Sequence, residues 1–89
     1  MVYVVERYLP GMRRAALERK LERLGRLTRG TPVRYLGSTI VLEDEACFCH
    51  FEAPSEEAVA EANRRAGLPF SRIVAAVAFP GVPAREGRK

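Results

Sequence analysis

Apolar and polar positions change period several times along the chain, and the changes divide it into six segments. Residues 2–9 (VYVVERYL) are β-branched and aromatic, which predicts a strand with Val2, Val4, Glu6 and Tyr8 on one face. Pro10-Gly11 ends it. From Met12 to Thr28 the period becomes helical. Leu17, Leu21, Leu24 and Thr28 fall at i, i+4, i+7 and i+11, with Ala16 and Leu27 alongside. Glu22 and Arg26 form a favourable i,i+4 pair, worth about 0.2–0.5 kcal/mol. Gly25 weakens this helix, and Gly30 stands where its exit needs a glycine.

Pro32 opens a second extended run, Val33 to Leu42, and Glu43-Asp44-Glu45 reads as a hairpin turn. A third strand is expected from Ala46 to Ala53, broken by Pro54. Ser55 is a good N-cap, with Glu56 and Glu57 complementing the helix dipole in the turn that follows. This second helix should reach about Ala66, with Gly67 as its C′ stop and Pro69 beyond. Arg72 to Phe79 reads as the last strand, and Pro80, Gly81 and Pro83 end regular structure. The order is therefore βαββαβ. With right-handed crossovers this is an α+β, ferredoxin-like domain over residues 1–80: a four-stranded antiparallel sheet with both helices on one face. Residues 81–89 read as a flexible basic tail.

The chain of 89 residues is the size of one domain, and its core is small enough that oligomerisation would help it. No run of about 20 apolar residues offers a membrane span, and no basic segment precedes the apolar start as in a signal peptide. The expectation is a cytoplasmic protein with no membrane partner. The net charge of +4 comes from arginine, with 13 Arg against 2 Lys. In the first helix Arg13, Arg14, Arg19, Lys20, Arg23 and Arg26 alternate with Glu18 and Glu22, as on a solvated face, and no aromatic residue joins them. Nucleic-acid binding, which needs a basic patch and usually stacking aromatics, is not expected. The chain carries no glycine-rich phosphate loop, paired-histidine motif or nucleophile elbow.

Cys47, Cys49 and His50 crowd together in the third strand. Alternation separates them: Cys47, Cys49, Phe51 and Ala53 share one face, and Phe48, His50 and Glu52 the other. The small apolar set belongs under the helices, where both thiols would behave as buried hydrophobes. Their Cα atoms would lie roughly 6.5–7 Å apart, at the outer limit for a disulfide. The opposite face is the candidate site. Glu6 could lie beside His50 and Glu52, with Arg34 and Ser38 from the second strand and Arg72 from the fourth reaching the same surface. Val4, Leu36, Ile40, Val74 and Ala76 complete it.

Several segments together resemble a group of small bacterial domains of unknown function, one branch of which binds nickel. The resemblance rests on Tyr3-Val4-Val5-Glu6-Arg7 with Pro10, on Phe48-Cys49-His50-Phe51-Glu52-Ala53-Pro54, and on Glu61-Ala62-Asn63-Arg64-Arg65-Ala66-Gly67-Leu68-Pro69 followed by Arg72-Ile73. It spans about residues 3–78. It implies a homodimer of the dimeric α/β-barrel type and raises nickel as a cofactor. Asn63 stands where relatives often carry histidine, which leaves His50 as the sole imidazole.

Three readings of the open face remain. It is a dimer interface alone, making the chain a structural or protein-interaction module. It is an interface that leaves a pocket for a small ligand or divalent metal, with Glu6, Arg34, Ser38, His50, Glu52 and Arg72 as ligand-binding groups and His50, Glu6 and Glu52 as metal candidates. Or it is catalytic, with His50 as acid/base oriented by Glu6 or Glu52.

Overall fold

The computed structural model describes residues 1–81. The elements follow the expected order: β1 (Val2–Tyr8), α1 (Arg14–Thr28), β2 (Arg34–Val41), β3 (Ala46–Glu52), α2 (Glu56–Arg65) and β4 (Arg72–Ala76). The four strands make one sheet in the order β2-β3-β1-β4, with every neighbouring pair antiparallel. The segment from residue 82 onward, which includes most of the expected tail, lies outside the described residues.

The helices form where the local chemistry directs. Leu17, Leu21, Leu24 and Thr28 are the buried stripe of α1. Its first residue is Arg14, two later than expected, and no side chain caps the N-terminus at Arg13. In α2 the Ser55 side chain accepts from the Ala58 N–H, and Glu56 and Glu57 occupy the first turn. Gly67, at φ +71°, closes a Schellman motif: Leu68 N–H donates to Asn63 C=O and Gly67 N–H to Arg64 C=O. Leu68, the residue after that turn, is buried in the core.

The core lies between sheet and helices. Tyr3 and Val5 of β1, and Cys47, Cys49 and Phe51 of β3, face Leu17, Leu21, Leu24, Val59 and Ala62. Phe51 is fully buried and packs on Tyr35, with ring centroids 5.4 Å apart at a tilt of 43°. The expected inward turn of both thiols is therefore found.

Strand β4 stops at Ala76, three residues short of expectation. Val77 and Phe79 beyond it are almost fully exposed. A larger departure occurs in β2. Tyr35 pairs with Phe51, but Gly37 rather than Leu36 pairs with His50. This β-bulge shifts the alternation by one residue, and Gly37 takes φ +133°, a value that side chains rarely allow. Ser38 therefore pairs with Cys49 and Ile40 with Cys47, so both turn toward the helices. Placing Ser38 and Ile40 on the open face extended a regular period through a bulge, and the structure corrects it.

Candidate functional site

The register lays out the open face in rows. The first holds Arg34, Glu52, Val2 and Ala76, the second Gly37, His50, Val4 and Val74, and the third Thr39, Phe48, Glu6 and Arg72. At one corner Arg34 Nη2 stands 3.8 Å from Glu52 Oε1. At the diagonally opposite corner Arg72 grips Glu6 with two parallel bonds, Nε to Oε1 at 3.0 Å and Nη2 to Oε2 at 3.1 Å. His50 lies between them, half-buried, on the central strand β3. Its direct neighbours across the sheet are Val4 and Gly37.

Of the six expected ligand-binding residues, five thus share this face: Glu6, Arg34, His50, Glu52 and Arg72. Ser38 does not. Nor does the structure assemble an acid/base pair. Glu6 pairs with Phe48 one row away, and Glu52 is two residues along the strand from His50. Among the described residues no carboxylate forms an ion pair with the imidazole; Glu6 and Glu52 each face an arginine instead.

The helix-covered face holds a polar cluster that sequence reasoning missed. Arg7 is only 2% exposed. It lies opposite Cys47 in the β1–β3 register. Its Nη2 donates to Asn63 Oδ1 at 2.7 Å and its Nη1 to the Pro69 carbonyl at 3.1 Å, with the Leu68 carbonyl at 3.5 Å. Asn63 is fully buried and returns a bond from Nδ2 to the Val59 carbonyl at 2.8 Å. Arg23 covers the neighbouring Ala66 carbonyl at 3.0 Å. Two guanidinium groups thus meet the carbonyl-rich end of α2, where the helix dipole is negative. No carboxylate pairs with Arg7 among the described residues, and its Nε–H has no acceptor there.

The thiols complete this cluster. Cys47 Sγ and Cys49 Sγ are 3.7 Å apart, and Ser38 Oγ donates to Cys49 Sγ at 2.9 Å. Tyr35 Oη bonds Ser38 Oγ in turn. The Cys47 hydrogen bond lowers Cys49 to about 6 against the opposing cost of burial, with help from the Arg7 charge and from Ser38. Cys47 moves the other way, because it donates to its neighbour and is desolvated. Burial likewise raises Tyr35. One signal of this cluster was on the page from the start: Arg7 keeps phase with Tyr3 and Val5, so strict alternation turns it inward.

The fold and both faces define a small ferredoxin-like α+β domain with one sheet face left open. The chain belongs to the nickel-responsive SCO4226-like protein family, whose sequence pattern matches residues 3–75. Among solved structures it is similar to the crystal structure of SCO4226 from Streptomyces coelicolor A3(2), at 17% identity and a TM-score of 0.79. That match covers 90% of this chain and 100% of the other, and it shows the shared fold. No curated protein gives a significant match.

Nickel is thereby raised as a group for the residues to fit. Among the described residues, no three of His, Cys, Asp or Glu converge on a common point. His50 is a lone imidazole, and Glu6 and Glu52 already face arginines. The described side chains of a single chain do not fit a nickel site, since nickel favours several nitrogen or sulfur donors. No helix among the described residues is long and apolar enough to cross a membrane.

Proposed function

We propose that the chain works as a homodimer whose paired sheet faces enclose a binding site for a small molecule. The observation that supports this most directly is the arrangement of the open face. An apolar centre of Val2, Val4, Phe48, Val74 and Ala76 surrounds one imidazole, with an arginine–carboxylate pair at each of two diagonal corners. A half turn about the centre of the face exchanges edge-strand Arg34 and central-strand Glu52 with Arg72 and Glu6. Each of the two corners thus offers a second copy both charges.

Covering this face would bury apolar groups that a small domain cannot cover by itself. His50 then supplies the orienting polar group in a mostly apolar pocket. The arginines suit an anionic or carbonyl-bearing ligand. A divalent metal, suggested by the family description, would need donors from both copies.

Native mass spectrometry of the purified chain tests the reading. The expected result is a dimer with a small molecule retained, and His50→Ala keeps the dimer but loses the molecule. Phe48→Glu, which puts a charge at the centre of the face, should give monomers. A wild-type monomer with nothing retained would overturn the proposal. Nickel retained by the dimer and not by the Phe48→Glu monomer would extend the family's description to this chain.

A further inference from the structure

We infer that Cys49 is a site of oxidation by hydrogen peroxide, formed by Arg7, Ser38 and Cys47 around its sulfur and reached from a groove beside the edge strand β2. It is independent of the open face and of any dimer. Three observations carry it.

The first is an unbalanced buried charge. Arg7 is almost wholly enclosed, its partners are an amide and two carbonyls, and its Nε–H has no acceptor among the described residues. A buried cation without an anion is costly, so the site favours any neighbour able to become negative. Tyr35 and the two cysteines are the titratable groups of the cluster, and Cys49 is the one that receives hydrogen bonds from two sides. The second is the donor set. A thiolate flanked by a hydroxyl, a second thiol and a guanidinium is stabilised as the nucleophile, since the thiolate rather than the thiol reacts. The same guanidinium can accept the negative charge that builds on a departing oxygen.

The third is a route of approach. A groove of about 290 Å³ is lined by Arg14, Ser38, Ile40 and Leu42. It reaches Ser38, which stands one hydrogen bond from the sulfur. Cys49 itself is fully buried, so only an oxidant close to water in size gains access by small movements of these side chains. That selects hydrogen peroxide over bulky disulfides and hydroperoxides. In the reaction the Cys49 sulfur attacks one peroxide oxygen. An S–O bond forms, the O–O bond breaks, and hydroxide leaves and takes a proton from solvent to become water. Sulfur gives up two electrons and peroxide receives them, so the product is a sulfenic acid.

The test uses the full chain and equimolar hydrogen peroxide, with intact mass and peptide mapping as readouts. An inert core thiol reacts more slowly folded than unfolded. The site described here reacts about tenfold or more faster in the folded protein than in the urea-unfolded one. The product is one added oxygen on Cys49. Loss of two hydrogens that becomes one added oxygen in Cys47→Ser also supports the proposal, because a bridge then forms through the Cys49 sulfenic acid. Cys49→Ser should abolish the fast reaction. Ser38→Ala, which removes only a hydroxyl, should slow it severalfold while leaving the thermal transition cooperative. Oxidation that is slower in the folded state, or that maps to Cys47 or to a methionine, overturns the proposal.

Discussion

The two faces of the sheet use the same side-chain chemistry to different ends. On the open face, arginine meets carboxylate at the corners in partial contact with water. Between sheet and helices, arginine meets an amide and two carbonyls away from water, with Cys47 opposite it on the neighbouring strand. Arg72 and Arg7 stand at the two ends of this contrast. An exposed ion pair is screened and adds little to stability, whereas a buried guanidinium is held only if nearly every donor is matched. Solvent exposure, more than residue identity, decides what an arginine does in this protein.

The sharpest way to break this contrast is to truncate one phenylalanine on each face of β3. Phe51→Ala should cost about 3–5 kcal/mol in urea denaturation, because it empties the centre of the core. Phe48→Ala should cost far less as measured in the monomer and act mainly on association. Equal losses from the two would mean that the sheet has no distinct inside.

The next largest effect should come from the arginines. Arg7→Ala strips charged donors from Asn63 and from the carbonyls after α2, and should destabilise by about 1.5–3 kcal/mol. Arg72→Ala, measured in the Phe48→Glu monomer, should leave the denaturation midpoint almost unmoved. A reversal of that order would show that the corner pair, and not the buried cluster, anchors the fold.

A pH series isolates the thiol. Cys49 is lowered in the folded state to about 6 from an ordinary value near 9. A lowered acid is stabilising above its unfolded value, and that contribution is lost as pH falls through the folded value. The stability difference between wild type and Cys49→Ser should therefore grow from about pH 6 to about pH 9. Cys47, raised above its ordinary value, acts in the opposite sense and only above pH 9. A flat difference between pH 6 and 9 would remove the stabilised Cys49 thiolate. The smallest effect belongs to the Glu6–Arg72 coupling. In the Phe48→Glu monomer a double-mutant cycle should detect it at low salt and lose it near about 1 M, where the screening length is about 3 Å. Coupling that survives high salt would point to a corner that is covered.

Much of the fold could be read from the residue pattern, and the reasons are local. The leucine spacing of α1, the Ser55 cap and the Gly67 stop each state their structure within a few residues. The register of β2 could not be read that way, since a bulge is settled by cross-strand pairing and a lone Gly37 does not announce it. Four residues of the open face were legible because β1, β3 and β4 alternate without interruption, and Arg34 because it precedes the bulge in β2. The Arg7 cluster was hidden for a different reason. Its members come from β1, β2, β3 and α2, and an inward arginine runs against the general expectation of exposed charge.

The bulge in β2 has a bearing on how copies of the chain can meet. An open sheet has two unpaired rims, and a flat rim invites endless strand-by-strand addition. Here one rim is kinked at Leu36–Gly37 and the other, β4, is only five residues long. Neither offers a straight template for growth. Strand-by-strand addition is disfavoured at both edges.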